Sequence, residues 1–237
     1  MNKSLKIKAF TLVELLVVIS IIGLLAGLAV PAINGALKKA KSGACMANLR
    51  QIGLGLITYA TENSAGTFPQ STGQEATWAI ELGKYVNTST KSKKSIFVCP
   101  GCEKPVQEGT DTTVAITYGV HSALVDPTRN FPINSVVRPS DVILAGDVCQ
   151  NTNNKGWSPN RIQEPSDFST GGGSGEMDEE PADLSAPLPI TDDVDGSSDK
   201  YSLRYRHQGR VNVVMVDGHA ESIKKGEVLR KHAVIGN

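Results

Sequence analysis

Residues 10–33, "FTLVELLVVISIIGLLAGLAVPAI", are almost pure hydrocarbon, and residues 15–33 hold no charged side chain. About 20 apolar residues are needed to cross the hydrocarbon core of a bilayer. A run of this length and purity leaves few fates: a membrane span, a signal segment, or a helix packed against its own kind. Lys3, Lys6 and Lys8 precede it, a basic start that fits membrane targeting with the N-terminus cytoplasmic. The anomaly is Glu14. A carboxylate within a span is costly and usually marks a function with a nearby partner. A secretory signal cut after Gly27-Leu28-Ala29 would be too long for its class. A plain anchor would leave Glu14 without a purpose.

The apolar run continues into an amphipathic one. Cys45, Leu49, Ile52, Leu56 and Tyr59 recur at spacings of four and three, one face of an α-helix. Lys38, Lys39, Lys41 and Arg50 lie mostly off that stripe. A single helix from Phe10 to about Asn63 would extend about 80 Å at 1.5 Å per residue. Pro31 is expected to bend it, and Gly53 and Gly55 are expected to weaken it by about 1 kcal/mol each relative to Ala.

Beyond residue 64 the chain reads as short strands and loops. "SIFV" (95–98), "VAITYGV" (114–120), "DVILAGDV" (141–148), "YSLRY" (201–205), "VNVVMV" (211–216) and "AESI" (220–223) have the β-branched content and turn punctuation of strands. Asp217-Gly218 predicts a two-residue hairpin turn. A long helix packed on a small antiparallel sheet, an α+β domain, is the expected architecture.

The two ends of the chain carry a resemblance. "KAFTLVELLVVISIIGLLAGLAVPAI" resembles the N-terminus of type IV pilins and of the pseudopilins of type II secretion. "RHQGRVNVVMVDGH", in which His207 is followed after nine residues by Asp217-Gly218, resembles a C-terminal signature of one large group of pilin-like proteins. The resemblance implies a pilin-like fold whose kinked N-terminal helix forms the spine. It implies a leader, residues 1–9, removed between Ala9 and Phe10 by a prepilin peptidase, with methylation of the new Phe10 amine. Ala9 stands where the family usually has Gly. Glu14 becomes the fifth mature residue, and Pro31 falls where the family places a helix-kinking Pro. The implied organisation is a filament-core half of the helix (10–33), an amphipathic half (34–63) and a periplasmic β-rich domain (64–237). The implied place is a bacterial inner membrane, crossed once, and then a filament. Its partners would be other copies, other pilin-like subunits, and an inner-membrane platform with its ATPase.

The resemblance also gives Glu14 a partner, the Phe10 ammonium of a neighbouring subunit. Two unit charges about 4 Å apart attract by roughly 4 kcal/mol at an effective dielectric of 20. Either charge left alone in hydrocarbon costs several kcal/mol, so the pair would select register. An anchored periplasmic binding module that never polymerises is the alternative.

Other features point to narrower chemistry. Lys plus Arg and Asp plus Glu number 24 each, which argues against nucleic acid as a partner. Eleven acids and no Lys or Arg lie between Glu164 and Asp199. Asp192, Asp193, Asp195 and Asp199 offer hard oxygen ligands suited to calcium; a solvated loop is the plainer reading. Cys99, Cys102 and Cys149 can be read as disulfide-forming or inert thiols, or as zinc ligands with His121. "CPGC" (99–102) also admits a redox reading. Cys45, on the apolar stripe, reads as a buried core residue. A cluster of His207, Asp217 and His219 is disfavoured, because an extended strand would part its members by roughly 20 Å. No nucleophile–base constellation or phosphate loop stands out, so an enzyme is not expected.

Overall fold

The computed structural model describes residues 11–70, 77–90, 92, 94–102, 107–108, 114–126, 128–129, 131–149, 161–162, 184–188, 203–233 and 235. Ala9, Phe10, Trp157, Asp192, Asp193, Asp195 and Asp199 lie outside them. The chain divides into two compact units, Met1–Ala40 and Lys41–Asn237.

The principal helix, α1, spans Leu12–Glu62 with Pro31 inside it. In the first unit its Leu, Ile and Val side chains are exposed, from Leu12 to Leu37. The helix is long and apolar enough to cross a membrane. Together with the fold described below, one long N-terminal helix and a small, mainly antiparallel sheet make this an α+β protein.

In the second unit the expected stripe is the buried one. Cys45, Leu49, Ile52, Leu56 and Ala60 are fully buried, Tyr59 is half-buried, and Lys41 and Arg50 are exposed. Gly53 and Gly55 are buried in the same face. They are contact surfaces as well as weak points of the helix. A Cβ on Gly55 would lie 3.0 Å from both Leu82 Cδ1 and Val86 Cγ1.

Leu82 belongs to α2, Thr77–Tyr85, a helix that the reading of this region as strands and loops does not anticipate. Trp78, Ala79 and Leu82 are fully buried, the one-sided spacing of a short packed helix. Trp78 meets Phe97 edge-on at 5.9 Å between ring centroids.

The strands are β1 (Gln107–Glu108), β2 (Val114–Ala115), β3 (Tyr118–His121), β4 (Ile143–Asp147), β5 (Arg161–Ile162), β6 (Arg210–Met215) and β7 (Ala220–Lys224). β1 and β2 form a separate two-stranded ladder, and the main sheet has the order β5-β3-β4-β6-β7. Its four longer strands pair antiparallel, as expected. The short β5 departs from expectation by joining β3 in parallel. The sheet buries both faces. Val214 and Val216 share a cluster with the α1 stripe, Tyr118, Val120 and Leu144. Val211, Val213 and Met215 share another with Ile143, Tyr205 and Val228. Burial on both sides explains why β6 reads as a nearly continuous apolar run.

Three strand expectations fail locally. Ser95–Val98 is a turn in which the Val98 N–H donates to the Ser95 carbonyl at 3.1 Å. Its Phe97 and Val98 are apolar because they are buried, and Pro100 beyond them cannot donate to a ladder. Residues 114–120 hold two short strands, with Ile116 and Thr117 between them. Of the expected strand 201–205, the described residues 203–205 hold a single bridge, from Leu203 to Val148.

The hairpin turns also differ. Between β6 and β7 the Gly218 N–H donates to the Met215 carbonyl at 2.9 Å, and the Met215 N–H to His219 at 2.8 Å. Val216-Asp217 are therefore the central turn residues, and Gly218, at φ +90°, is the bulge that follows. The two-residue connection lies earlier. His207 and Arg210 exchange backbone hydrogen bonds of 3.2 and 3.1 Å around Gln208 and Gly209. Both of those residues have positive φ, 56° and 75°, as a type I′ turn requires.

Candidate functional site

Among the described residues, two places carry chemistry. At the start of α1, the Thr11 hydroxyl and backbone N–H both donate to Glu14 Oε2, at 2.8 and 2.9 Å. The Glu14 N–H donates back to Thr11 Oγ1 at 3.2 Å. This is a reciprocal capping box, with Thr11 as the cap and Glu14 three residues on. Glu14 thus has a local role that requires no second subunit. Its neighbours Val13, Val17 and Val18 are apolar and open.

The second place lies in the folded domain. One ligand atom each from Cys45, Cys99, Asp147 and His207 lies within 4.8 Å of the other three, and all four residues are buried. Cys45 comes from the α1 stripe. Cys99 opens a tight turn in which the Cys102 N–H donates to the Cys99 carbonyl at 2.9 Å. The Gly101 N–H points to Cys99 Sγ at 3.3 Å, and the Cys99 N–H is held by Thr117 Oγ1 at 2.6 Å. Gly101 is required by space, since a Cβ there would lie 2.9 Å from His207 Cε1. Asp147 ends β4 opposite Tyr118. His207 is placed by the Gln208-Gly209 turn.

His207 Nε2 lies 3.3 Å from Cys99 Sγ and 3.4 Å from Asp147 Oδ2. Arg206 donates from Nε to Asp147 Oδ1 at 2.8 Å and from Nη2 to the Val148 carbonyl at 2.9 Å. Asp147 Oδ2 is buried and accepts no hydrogen bond. The nearby Cys45 sulfur, and then burial, push the Cys99 thiol far above its ordinary range. Burial draws His207 down, but Asp147 and Cys99 beside it outweigh burial and push it up to about 9. A thiol held neutral is a poor nucleophile. The arrangement suits binding better than attack.

The structure redistributes the residues singled out in the sequence. Cys99 joins Cys45, Asp147 and His207 rather than Cys102 and Cys149, and no disulfide joins any of the four cysteines. Cys149 Sγ faces the Leu203 carbonyl at 3.8 Å. His121 is buried with Nε2 2.9 Å from the Ala233 carbonyl. Asp217 and His219 pair with each other at 2.6 Å in the β6–β7 hairpin, while His207 sits beyond the other end of β6. His207 therefore does more than close a turn. The sequence alone does not mark Cys45 and Asp147 as members of a site. Their only advance signal was a cysteine on the apolar stripe and an aspartate ending a wholly apolar strand.

Residues 5–30 match the prokaryotic N-terminal methylation motif. No curated protein and no solved structure matches the chain. The motif spans Ala9, Phe10 and Glu14 and supports a type IV pilin-like protein. It points to a structural subunit rather than an enzyme, to processing by a prepilin peptidase, and to assembly of pilin-like subunits in general. With the apolar helix it is consistent with a single-pass membrane anchor.

Proposed function

We propose that the protein is a structural subunit of a type II secretion pseudopilus or a type IV pilus-like filament. Cleavage between Ala9 and Phe10 frees an amine, which is methylated. The subunit waits in the inner membrane with its C-terminal domain in the periplasm, until the platform and its ATPase extract it. Glu14 then pairs with the Phe10 ammonium of a neighbouring copy. Repetition of such a heterologous contact without closure gives a helical fibre. The reading is carried by Glu14, placed inside the matched methylation motif at the head of an exposed apolar helix.

The capping box favours a second reading, an anchored periplasmic module that does not polymerise, because it accounts for the acid without a partner. Glu14→Gln separates the two. Gln keeps the capping box and removes the charge. Assembly by charge pairing would lose about 4 kcal/mol per contact, on the order of a thousandfold. Filaments sheared from cells should then vanish for Glu14→Gln and Glu14→Lys, while membrane levels stay normal. The mature chain should begin with methylated Phe10 by mass spectrometry. A chain beginning elsewhere, or filaments undiminished by Glu14→Gln, would overturn the proposal.

A further inference from the structure

We infer that Cys45, Cys99, Asp147 and His207 form a closed tetrahedral site for zinc. Zinc binds thiolate sulfur at about 2.3 Å and imidazole or carboxylate atoms at about 2.0–2.1 Å, which gives sulfur–nitrogen edges of about 3.5 Å and nitrogen–oxygen edges of about 3.3 Å. The corresponding distances here are 3.3 Å from Cys99 Sγ to His207 Nε2 and 3.4 Å from Asp147 Oδ2 to His207 Nε2. All six edges are within 4.8 Å. Four donor atoms from four buried residues thus lie close enough together to share one ion.

The surroundings are those of a metal site. The carboxylate oxygen in the cluster is buried and accepts no hydrogen bond of ordinary geometry, with the His207 ring nitrogen 3.4 Å away. Arg206 holds the other oxygen and fixes the plane of the carboxylate. The Gly101 N–H supports Cys99 Sγ, and the absence of a side chain at Gly101 admits the His207 ring. Such outer contacts orient ligands in metal sites. Charge also balances: zinc deprotonates the thiols that bind it, and two thiolates with one carboxylate are offset by the ion and Arg206. Two sulfurs, one imidazole and one carboxylate in a closed tetrahedron select zinc over calcium or magnesium, which take oxygen ligands. The ion would tie four distant segments together: α1, the Cys99 turn, the end of β4 and the turn before β6. This is a structural role.

The test uses the full chain, purified in detergent under reducing conditions, exposed to zinc and then freed of excess. One zinc per chain is expected by elemental analysis. X-ray absorption at the zinc edge should show two sulfur and two nitrogen or oxygen neighbours. Cys45→Ser should lower zinc affinity by at least roughly 10–100-fold, while Cys102→Ser and Cys149→Ser should retain full occupancy. The absorption measurement on the unaltered chain needs no variant and stands even where Cys45→Ser misfolds. A chain that leaves zinc unbound, an ion with no sulfur neighbours, or a Cys45–Cys99 disulfide in the protein isolated from cells would each overturn the assignment.

Discussion

Gly53 of α1 lies directly against Val214 of β6: a Cβ added to the glycine would fall 2.5 Å from Val214 Cγ2. Helix propensity alone makes Gly53→Ala favourable by about 1 kcal/mol. Forcing a methyl into a packed core costs about 1–3 kcal/mol, and 2.5 Å is well inside contact distance, so packing wins. Gly53→Ala should be destabilising in denaturant melts. Gly43, on the same helix, has nothing within 4 Å of its Cβ position. Gly43→Ala should raise stability by up to about 1 kcal/mol. If both substitutions shift the melt in the same direction, the packing account of Gly53 is wrong.

Arg206 and Asp147 form a deeply buried ion pair, with side-chain exposures of 6% and 0%. Removing one partner of a buried pair leaves an uncompensated charge, at about 3–5 kcal/mol. Arg206→Met should cost up to that much, less what the His207 ring beside Asp147 Oδ2 still compensates, and adding Asp147→Asn should recover part of the loss. A double-mutant cycle on metal-free protein reads the coupling. Strict additivity of the two single effects would show that the pair does not act as one.

The parts that were legible from sequence share a cause. The α1 stripe follows a period that burial imposes directly, so Cys45, Leu49, Ile52 and Leu56 could be placed before any coordinates. β4, β6 and β7 were legible because β-branched runs bounded by turn residues have few other uses. The Ser95–Val98 turn was not, because apolar content reports burial and does not distinguish a strand from a buried turn. α2 escapes the pattern because its nine residues give only about two and a half turns of periodicity. The Cys45, Cys99, Asp147 and His207 cluster was hidden for a different reason. Its members come from four elements, so no short spacing links them, and only the packing of α1 on the sheet brings Cys45 to His207. The neighbouring "CPGC" drew attention to Cys102, which the fold leaves out of the cluster.

Asn212 carries a polar group into the α1–β6 contact. It is fully buried, and its Nδ2 donates to the Ser42 carbonyl and hydroxyl at 3.1 and 3.2 Å. Asn212→Leu removes the donor and wedges a branched side chain beside the helix. Asn212→Asp would place a carboxylate against a carbonyl that it cannot satisfy. The second change should be worse at neutral pH, by several kcal/mol for an unpaired buried charge. Its deficit should shrink as acid neutralises the carboxylate. A pH-independent deficit for Asn212→Asp would mean that the residue is not buried as described.

Two histidines set an acid limit on the fold. Burial, opposed in part by the Ala233 carbonyl and aided by Arg129, lowers His121 to about 4. Burial and the neighbouring Lys231, opposed by Asp141, lower His232 to about 4 as well. Unfolded histidine titrates near 6.5, so as pH falls the unfolded chain takes up protons before the folded one does. The contribution to stability is therefore whole above about pH 6.5, declines below it, and is gone below about pH 4. For His121 the loss is on the order of 3 kcal/mol. Asp141 acts lower: its hydrogen bond from Lys231 holds its carboxyl below the ordinary value, so its contribution is lost only in stronger acid. Urea midpoints followed from pH 7 to pH 4 should fall steadily for the unaltered chain and less steeply for His121→Gln, whose amide can still donate to Ala233. Equal slopes would mean that His121 is already charged in the folded protein.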